Sequence, residues 1–199
     1  MHIADFQLER YLAIHEFSAP HLLCTSDSET MSVSELLDLE QGAYEEFLHL
    51  RLGYTESQGS PALRKEIATL YSSITSEQIV VTAGAEEGIF LLMNILFSAG
   101  DHIIVQAPAY QSLYEVAHSI GCRVSRWELK ETDEGWKADI AELSRLMQPD
   151  TKAIIVNSPH NPTGHLFTHE EWHDLIELTS KASVRLISDE VYRGLEHNP

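Results

Sequence analysis

Three side chains toward the end of this sequence have the types and spacing to hold a charged aromatic ring. Asn157–Gly164 reads NSPHNPTG, and Ser188–Tyr192 reads SDEVY, beginning 24 residues after Gly164. The first stretch offers an amide, Asn161, on a proline-stiffened turn. The second offers a carboxylate and a phenol three residues apart, Asp189 and Tyr192. An amide and a phenol can both hydrogen-bond a ring oxygen, and a carboxylate can keep a ring nitrogen protonated. Together they are the groups needed to hold a pyridinium ring bearing a phenolic oxygen. Each residue also has a plainer use: Asn-Pro-Thr-Gly is good turn chemistry, and Asp189 could cap a helix or face solvent.

Two further segments could contribute. Val80-Val81-Thr82 is followed by Ala83-Gly84-Ala85-Glu86-Glu87-Gly88, which opens a helix with an apolar face of Ile89, Leu92, Met93 and Leu96. Small residues at such a turn let a phosphate approach the backbone N–H groups of Gly84, Ala85 and Glu86 at the positive end of the helix. An ordinary strand-to-helix turn explains the same residues. Pro108-Ala109-Tyr110 places an aromatic directly after an apolar run, where it could stack on a flat ring or serve as a core tyrosine.

The elements that must position these groups follow from the hydrophobic pattern. Ala153-Ile154-Ile155-Val156 precedes the first motif and Val184-Arg185-Leu186-Ile187 the second. In an α/β sheet this puts both motifs at the carboxyl ends of strands, where ligands bind. Strands are expected at Gln78–Thr82, His102–Gln106, Arg123–Trp127, Lys152–Asn157 and Val184–Ser188, with helices at 86–98, 110–120, 139–147 and 169–181. That alternation predicts an α/β fold, a largely parallel sheet with covering helices. Before it, residues 1–75 read as a helical lead-in, with helices over 4–17, from Ser32/Ser34 through Leu50 with a Ser32/Glu35 capping box, and from Pro61 to about Ser72. The boundary falls near residue 75, and residues 76–199 form the sheet-bearing domain.

Composition narrows the function. Thirteen basic against 31 acidic residues give a formal charge of −18, which disfavours nucleic acid and anionic membrane surfaces as partners. Cys24 and Cys122 are the only cysteines and have no metal-binding or CxxC spacing. With no apolar leader and no long apolar run, a cytoplasmic protein is expected.

In combination and order, these motifs resemble the class I/II aminotransferases, pyridoxal-phosphate enzymes of fold type I. The stretch Thr82–Gly88 resembles the family's TxGAxEG phosphate-binding pattern, which implies that Gly84, Ala85 and Glu86 contact pyridoxal 5'-phosphate. The resemblance makes Tyr110 the residue stacked on the pyridine face. It gives Asp189 the ring nitrogen, and Asn161 and Tyr192 the ring oxygen. Tyr54 and Gly59, in GYTESQGSPALRKEI, resemble the Y-x4-G-x3-LR segment whose tyrosine reaches the phosphate of a neighbouring subunit, which implies a homodimer. Amino acid and 2-oxo acid substrates are implied, with amino-group transfer as the reaction.

The resemblance covers about the first half of such an enzyme. The family's Schiff-base lysine lies beyond the aspartate, and none of Lys65, Lys130, Lys137, Lys152 and Lys181 does. A truncated aminotransferase-like chain is therefore expected, inactive alone, with that lysine beyond Pro199. The segment HEFSAPHLLCTSDSE, together with PAYQSL and Trp127, resembles the capreomycidine-synthase-like subset, which raises a lyase or cyclase as an alternative. In that case Ser26, Asp27 and Ser28 would line the substrate pocket; a solvated loop is the plainer reading. A non-catalytic cofactor-fold remnant is a third possibility. A transcription regulator is disfavoured, since no basic helix precedes residue 50. His169-Glu170-Glu171-Trp172-His173 fits HExxH, but Thr168 and Glu171 look like a capping box, so no metal is expected.

Overall fold

The structure, a computed structural model of the chain, describes residues 2–23, 26 and 28–197. Cys24, Asp27 and Pro199 lie outside the described residues. The chain divides into two units, Gln7–Val81 on the one hand and Thr82–Pro199 with Met1–Phe6 on the other.

The first unit holds four short helices: α1 (Gln7–His15), α2 (Val33–Leu37), α3 (Ala43–Leu48) and α4 (Pro61–Ala68). The capping box that opens α2 is present: Ser32 Oγ accepts the Glu35 N–H at 3.2 Å, and the Glu35 carboxylate accepts the Ser32 N–H at 2.6 Å. The single helix expected through Leu50 is instead two, because Gly42 adopts φ 90° just before α3 and breaks the α-helical run. Residues 4–6 stand outside α1. The expected strand Gln78–Thr82 does not form. Ser76–Gln78 is a 3₁₀ turn, and Ile79 is extended (φ −110°, ψ 133°) without joining a sheet. Extended backbone becomes a strand only when another strand pairs its N–H and C=O groups; here the Val81 N–H goes to the Gln58 carbonyl, 2.9 Å away.

In the second unit, α5 (Gly84–Leu96) leads to β1 (His102–Ala107), α6 (Ser112–Ile120) and β2 (Arg123–Glu128). A hairpin of β3 (Lys130–Thr132) and β4 (Gly135–Lys137) precedes α7 (Ile140–Leu146), β5 (Thr151–Asn157), α8 (His169–Ala182) and β6 (Arg185–Asp189). The main sheet has the order β2-β1-β5-β6, and all its pairings are parallel. This is the α/β architecture the alternation predicts. The hairpin was not predicted: its three-residue strands, KET and GWK, are too short to show a period.

All of β1 is buried, as is β5 apart from Lys152, which requires cover on both faces. Alternate strand residues divide accordingly. Ile103, Val105, Ala153 and Ile155 pack with Met93 and Phe97 at the end of α5 and with Leu113, Val116 and Ala117 of α6. Ile104, Ile154 and Val156 pack with Trp127, Phe167, Leu143 of α7 and Leu175 of α8 on the opposite face. Cys122 is buried and free. Among the described residues no helix is long and apolar enough to cross a membrane.

Candidate functional site at the carboxyl edge of the sheet

Because β1, β5 and β6 are parallel, the segments that follow them emerge on one edge. Asp189, the last residue of β6, pairs in register with Asn157, the last of β5. The buried Asn157 amide joins these ends: its Nδ2 donates to the Asp189 carbonyl at 3.0 Å, and its Oδ1 accepts the Asn161 N–H at 2.6 Å. The Asn157 N–H donates to Gln106 Oε1 of β1 at 2.9 Å, and the Ser158 N–H reaches the Asp189 carbonyl at 2.9 Å. One side chain thus fixes where the Asn161 turn leaves the sheet. At the far side of that turn Asn161 Nδ2 donates to the Tyr192 hydroxyl at 3.3 Å. Asn161, Asp189 and Tyr192 are therefore brought together. Asn157 and Gln106 were missed from sequence; the available signal was a polar residue ending or interrupting an apolar, fully buried strand.

Burial decides the electrostatics here. It pushes the Asp189 carboxyl above the usual carboxylate range, Glu190 adds to the rise, and a hydrogen bond from the Val191 N–H (3.2 Å) opposes it. No cationic side chain among the described residues offsets that cost. Beside Asn161, the buried His160 has its Nδ1 2.7 Å from Thr163 Oγ1. Burial pushes its pKa down to about 4; the Pro108 carbonyl opposes this and His165 adds to it.

The helix α5 ends close before β1 begins, and Met93 and Phe97 at its C-terminal end pack with Ile103 and Val105 of that strand. Gly84 opens it at φ 80°, a conformation that favours glycine, and the Glu87 carboxylate accepts the Ala83 N–H at 2.5 Å. Gly84, Ala85 and Glu86 are exposed. Tyr110, half-buried after β1, meets the ring of Phe6 at 4.9 Å between centroids. Tyr54 belongs to the other unit and is fully exposed. In the HExxH stretch, Thr168 and Glu171 form a capping box at the start of α8, and His169 and His173 are exposed. His173, Asp174 and Glu177 form an exposed cluster, but Glu177 is already paired with Lys181 at 2.5 Å.

The sequence model described as "Aminotransferase class I and II" matches residues 23–199. The chain belongs to the class I and II aminotransferase family. An aspartate aminotransferase of Sulfurisphaera tokodaii is 34% identical over 145 residues, which are 70% of this chain and 36% of that protein. An arginine–pyruvate transaminase of Pseudomonas aeruginosa is 32% identical over 160 residues, 78% of this chain and 40% of that protein. Among solved structures, a PLP-dependent aminotransferase from Streptococcus suis superimposes with a TM-score of 0.90 at 33% identity, covering 99% of this chain and 54% of that one. The PLP-dependent cyclase OrfR gives 0.85 at 28% identity, covering 94% and 49%. The chain thus spans between about a third and a little over half of these aminotransferase-family proteins. Membership in the family implies pyridoxal 5'-phosphate as the cofactor.

Proposed function

We propose that this chain is the cofactor-holding front half of an aminotransferase that moves an amino group from an amino acid to a 2-oxo acid. The observation that carries this is the sheet edge where Asn161 Nδ2 meets the Tyr192 hydroxyl and β6 ends at the half-buried Asp189, whose carboxylate has no cationic partner among the described residues. A carboxylate whose charge is penalised by burial gains most from a cationic partner, and a protonated pyridine nitrogen is such a partner. The donor set therefore fits the cofactor.

In this reading Asp189 holds the proton on the ring nitrogen. Asn161 and Tyr192 donate to the ring oxygen, with Asn157 and Gln106 fixing the turn beneath them. Tyr110 covers one ring face, and the N–H groups of Gly84, Ala85 and Glu86 receive the phosphate. When bound, pyridoxal phosphate supplies an electron sink for charge developing at the substrate's α-carbon. The covalent anchor would be a lysine beyond Pro199. Three of the five lysines present are committed to ion pairs: Lys130 with Asp139 and Glu142, Lys137 with Glu134, and Lys181 with Glu177. Tyr54 would serve a second copy in a homodimer, and its full exposure supports a partner outside its own unit. A cytoplasmic location belongs to the same reading.

A second reading, a lyase or cyclase on the same fold, is favoured by the likeness to OrfR, which extends over 94% of the chain. Product analysis of the natural gene product separates the two. With amino acids and a 2-oxo acid, formation of the new amino acid and keto acid supports transfer. Loss of a substituent or ring closure without a new amino acid would replace it with the second reading.

A further inference from the structure

His160 lies between Pro159 and Asn161, buried to 3% exposure, and the reading above gives its side chain no task. Three contacts hold it within its own turn. Its N–H donates to the His165 carbonyl at 3.0 Å, its carbonyl accepts the Gly164 N–H at 2.7 Å, and Nδ1 lies 2.7 Å from Thr163 Oγ1. The Thr163 hydroxyl already accepts the His165 N–H at 3.2 Å, so its own proton is the one available to Nδ1. With Nδ1 accepting, a neutral imidazole carries its proton on Nε2. That nitrogen is fully enclosed and completes no hydrogen bond among the described residues. An enclosed donor left so is costly, and at functional sites such bonds often tighten only with the ligand in place.

The topology supplies the acceptor. β1 and β5 are adjacent and parallel, with Val105 opposite Ile155. Pro108, three residues past the one, and His160, five past the other, therefore leave the same edge of the sheet side by side. The Pro108 carbonyl is the backbone acceptor that acts on the imidazole. Tyr110, two residues further on, packs on the buried cluster of β1, α5 and α6, so the position of this segment carries through to its ring. One side chain is thus fixed in the Asn161 turn and faces the segment that bears Tyr110.

We propose that His160 is a positioning residue: its Nε2–H pairs with the Pro108 carbonyl as the cofactor binds, setting the Asn161 turn and the Tyr110 segment against each other. The inference rests on the reading of Asn161 and Tyr110 given above. Loss of one such hydrogen bond corresponds to a change of about twofold to tenfold in a binding constant.

The test uses the natural gene product, carrying isotope-labelled histidine and titrated with pyridoxal 5'-phosphate. The imidazole signal missing from a His160→Gln spectrum identifies His160. It should show the Nε2–H tautomer at neutral pH, and its Nε2 resonance should move as the cofactor saturates. Affinity and the induced circular dichroism of the cofactor band are read on two variants. Glutamine puts an amide donor where Nε2 stands, and asparagine puts one where Nδ1 stands. His160→Asn should weaken binding about threefold to tenfold and alter the induced signal, while His160→Gln should stay within about twofold of the parent. Asn161→Ala is the control for the site itself. Suppose that it weakens binding, but that the His160 proton sits on Nδ1, its signal ignores the cofactor, or His160→Asn binds no worse than His160→Gln. Any of these overturns the positioning role and leaves the reading of Asn161 standing. If Asn161→Ala binds as the parent does, or the parent binds no cofactor, the reading of the site fails and the positioning role with it.

Discussion

Asp189 and His160, both near the Asn161 turn, carry opposite pH signatures because burial disfavours the charged form of each. For Asp189 the folded-state pKa is raised, chiefly by burial. Its contribution to stability is present below the carboxylate's unfolded value and is lost as pH rises through the raised one. At neutral pH the cofactor-free chain therefore bears an uncompensated cost, and Asp189→Asn should raise its melting temperature by a few degrees. The same change should weaken pyridoxal phosphate binding about tenfold to a hundredfold, by removing a charge-assisted bond. Thermal melts with and without the cofactor check both signs; a variant less stable without the cofactor would contradict this account of burial. His160 runs the other way. Its folded value of about 4, set first by burial, means that stability is present above its unfolded value and drains away as pH falls toward 4. Buried His102 adds to the same loss, its pKa lowered first by burial and then by Arg123, with Asp150 opposing. Urea unfolding at pH 7.5 and pH 4.5 should show His160→Gln losing less stability on acidification than the parent, by on the order of 2–3 kcal/mol. At this scale the placement of Asn161, Asp189 and Tyr192 at the ends of β5 and β6 was legible because their motifs follow apolar runs. Asn157 was not legible, since its importance comes from a cross-strand bond between residues 32 positions apart.

At the scale of elements, local pattern succeeded where packing and capping agree and failed where pairing decides. The capping boxes at Ser32 and Thr168 and the buried strands at 102–107 and 151–157 follow directly from sequence. Gln78–Thr82 has the β-branched residues of a strand, but no strand among the described residues pairs with it, and no propensity can report that. What holds this segment is instead a close approach to Gly59, which sits at φ 97° with the Val81 side chain where a β-carbon would stand. An added methyl there would lie 2.6 Å from Val81 Cβ and Cγ2. Strain in the backbone and overpacking therefore act together. Gly59→Ala should destabilise the first unit by about 2–4 kcal/mol. Circular dichroism or hydrogen exchange over residues 56–82 would register it, and protection equal to the parent's would refute the packing argument.

For the whole molecule, the first unit is the telling part. None of its four α-helices buries a residue, while Leu39, Leu48, Leu50 and Leu52 stand largely in solvent, with Tyr54 beside them in sequence. In the proposed homodimer a second copy of the protein would cover this apolar surface and give Tyr54 a role, each tyrosine then lying at the other subunit's cofactor. Complementation tests this directly. Tyr54→Ala dimers would lack the tyrosine at both sites, and Asp189→Asn dimers would lack the carboxylate at both. A mixed dimer would have one site with both residues intact and one with neither. Subunits mixed in equal amounts, unfolded and refolded together, should recover about a quarter of the parent's cofactor sites, because half the dimers are mixed and each restores one site of two. Tyrosines acting within their own chain would recover none, since every site would then carry one of the two defects.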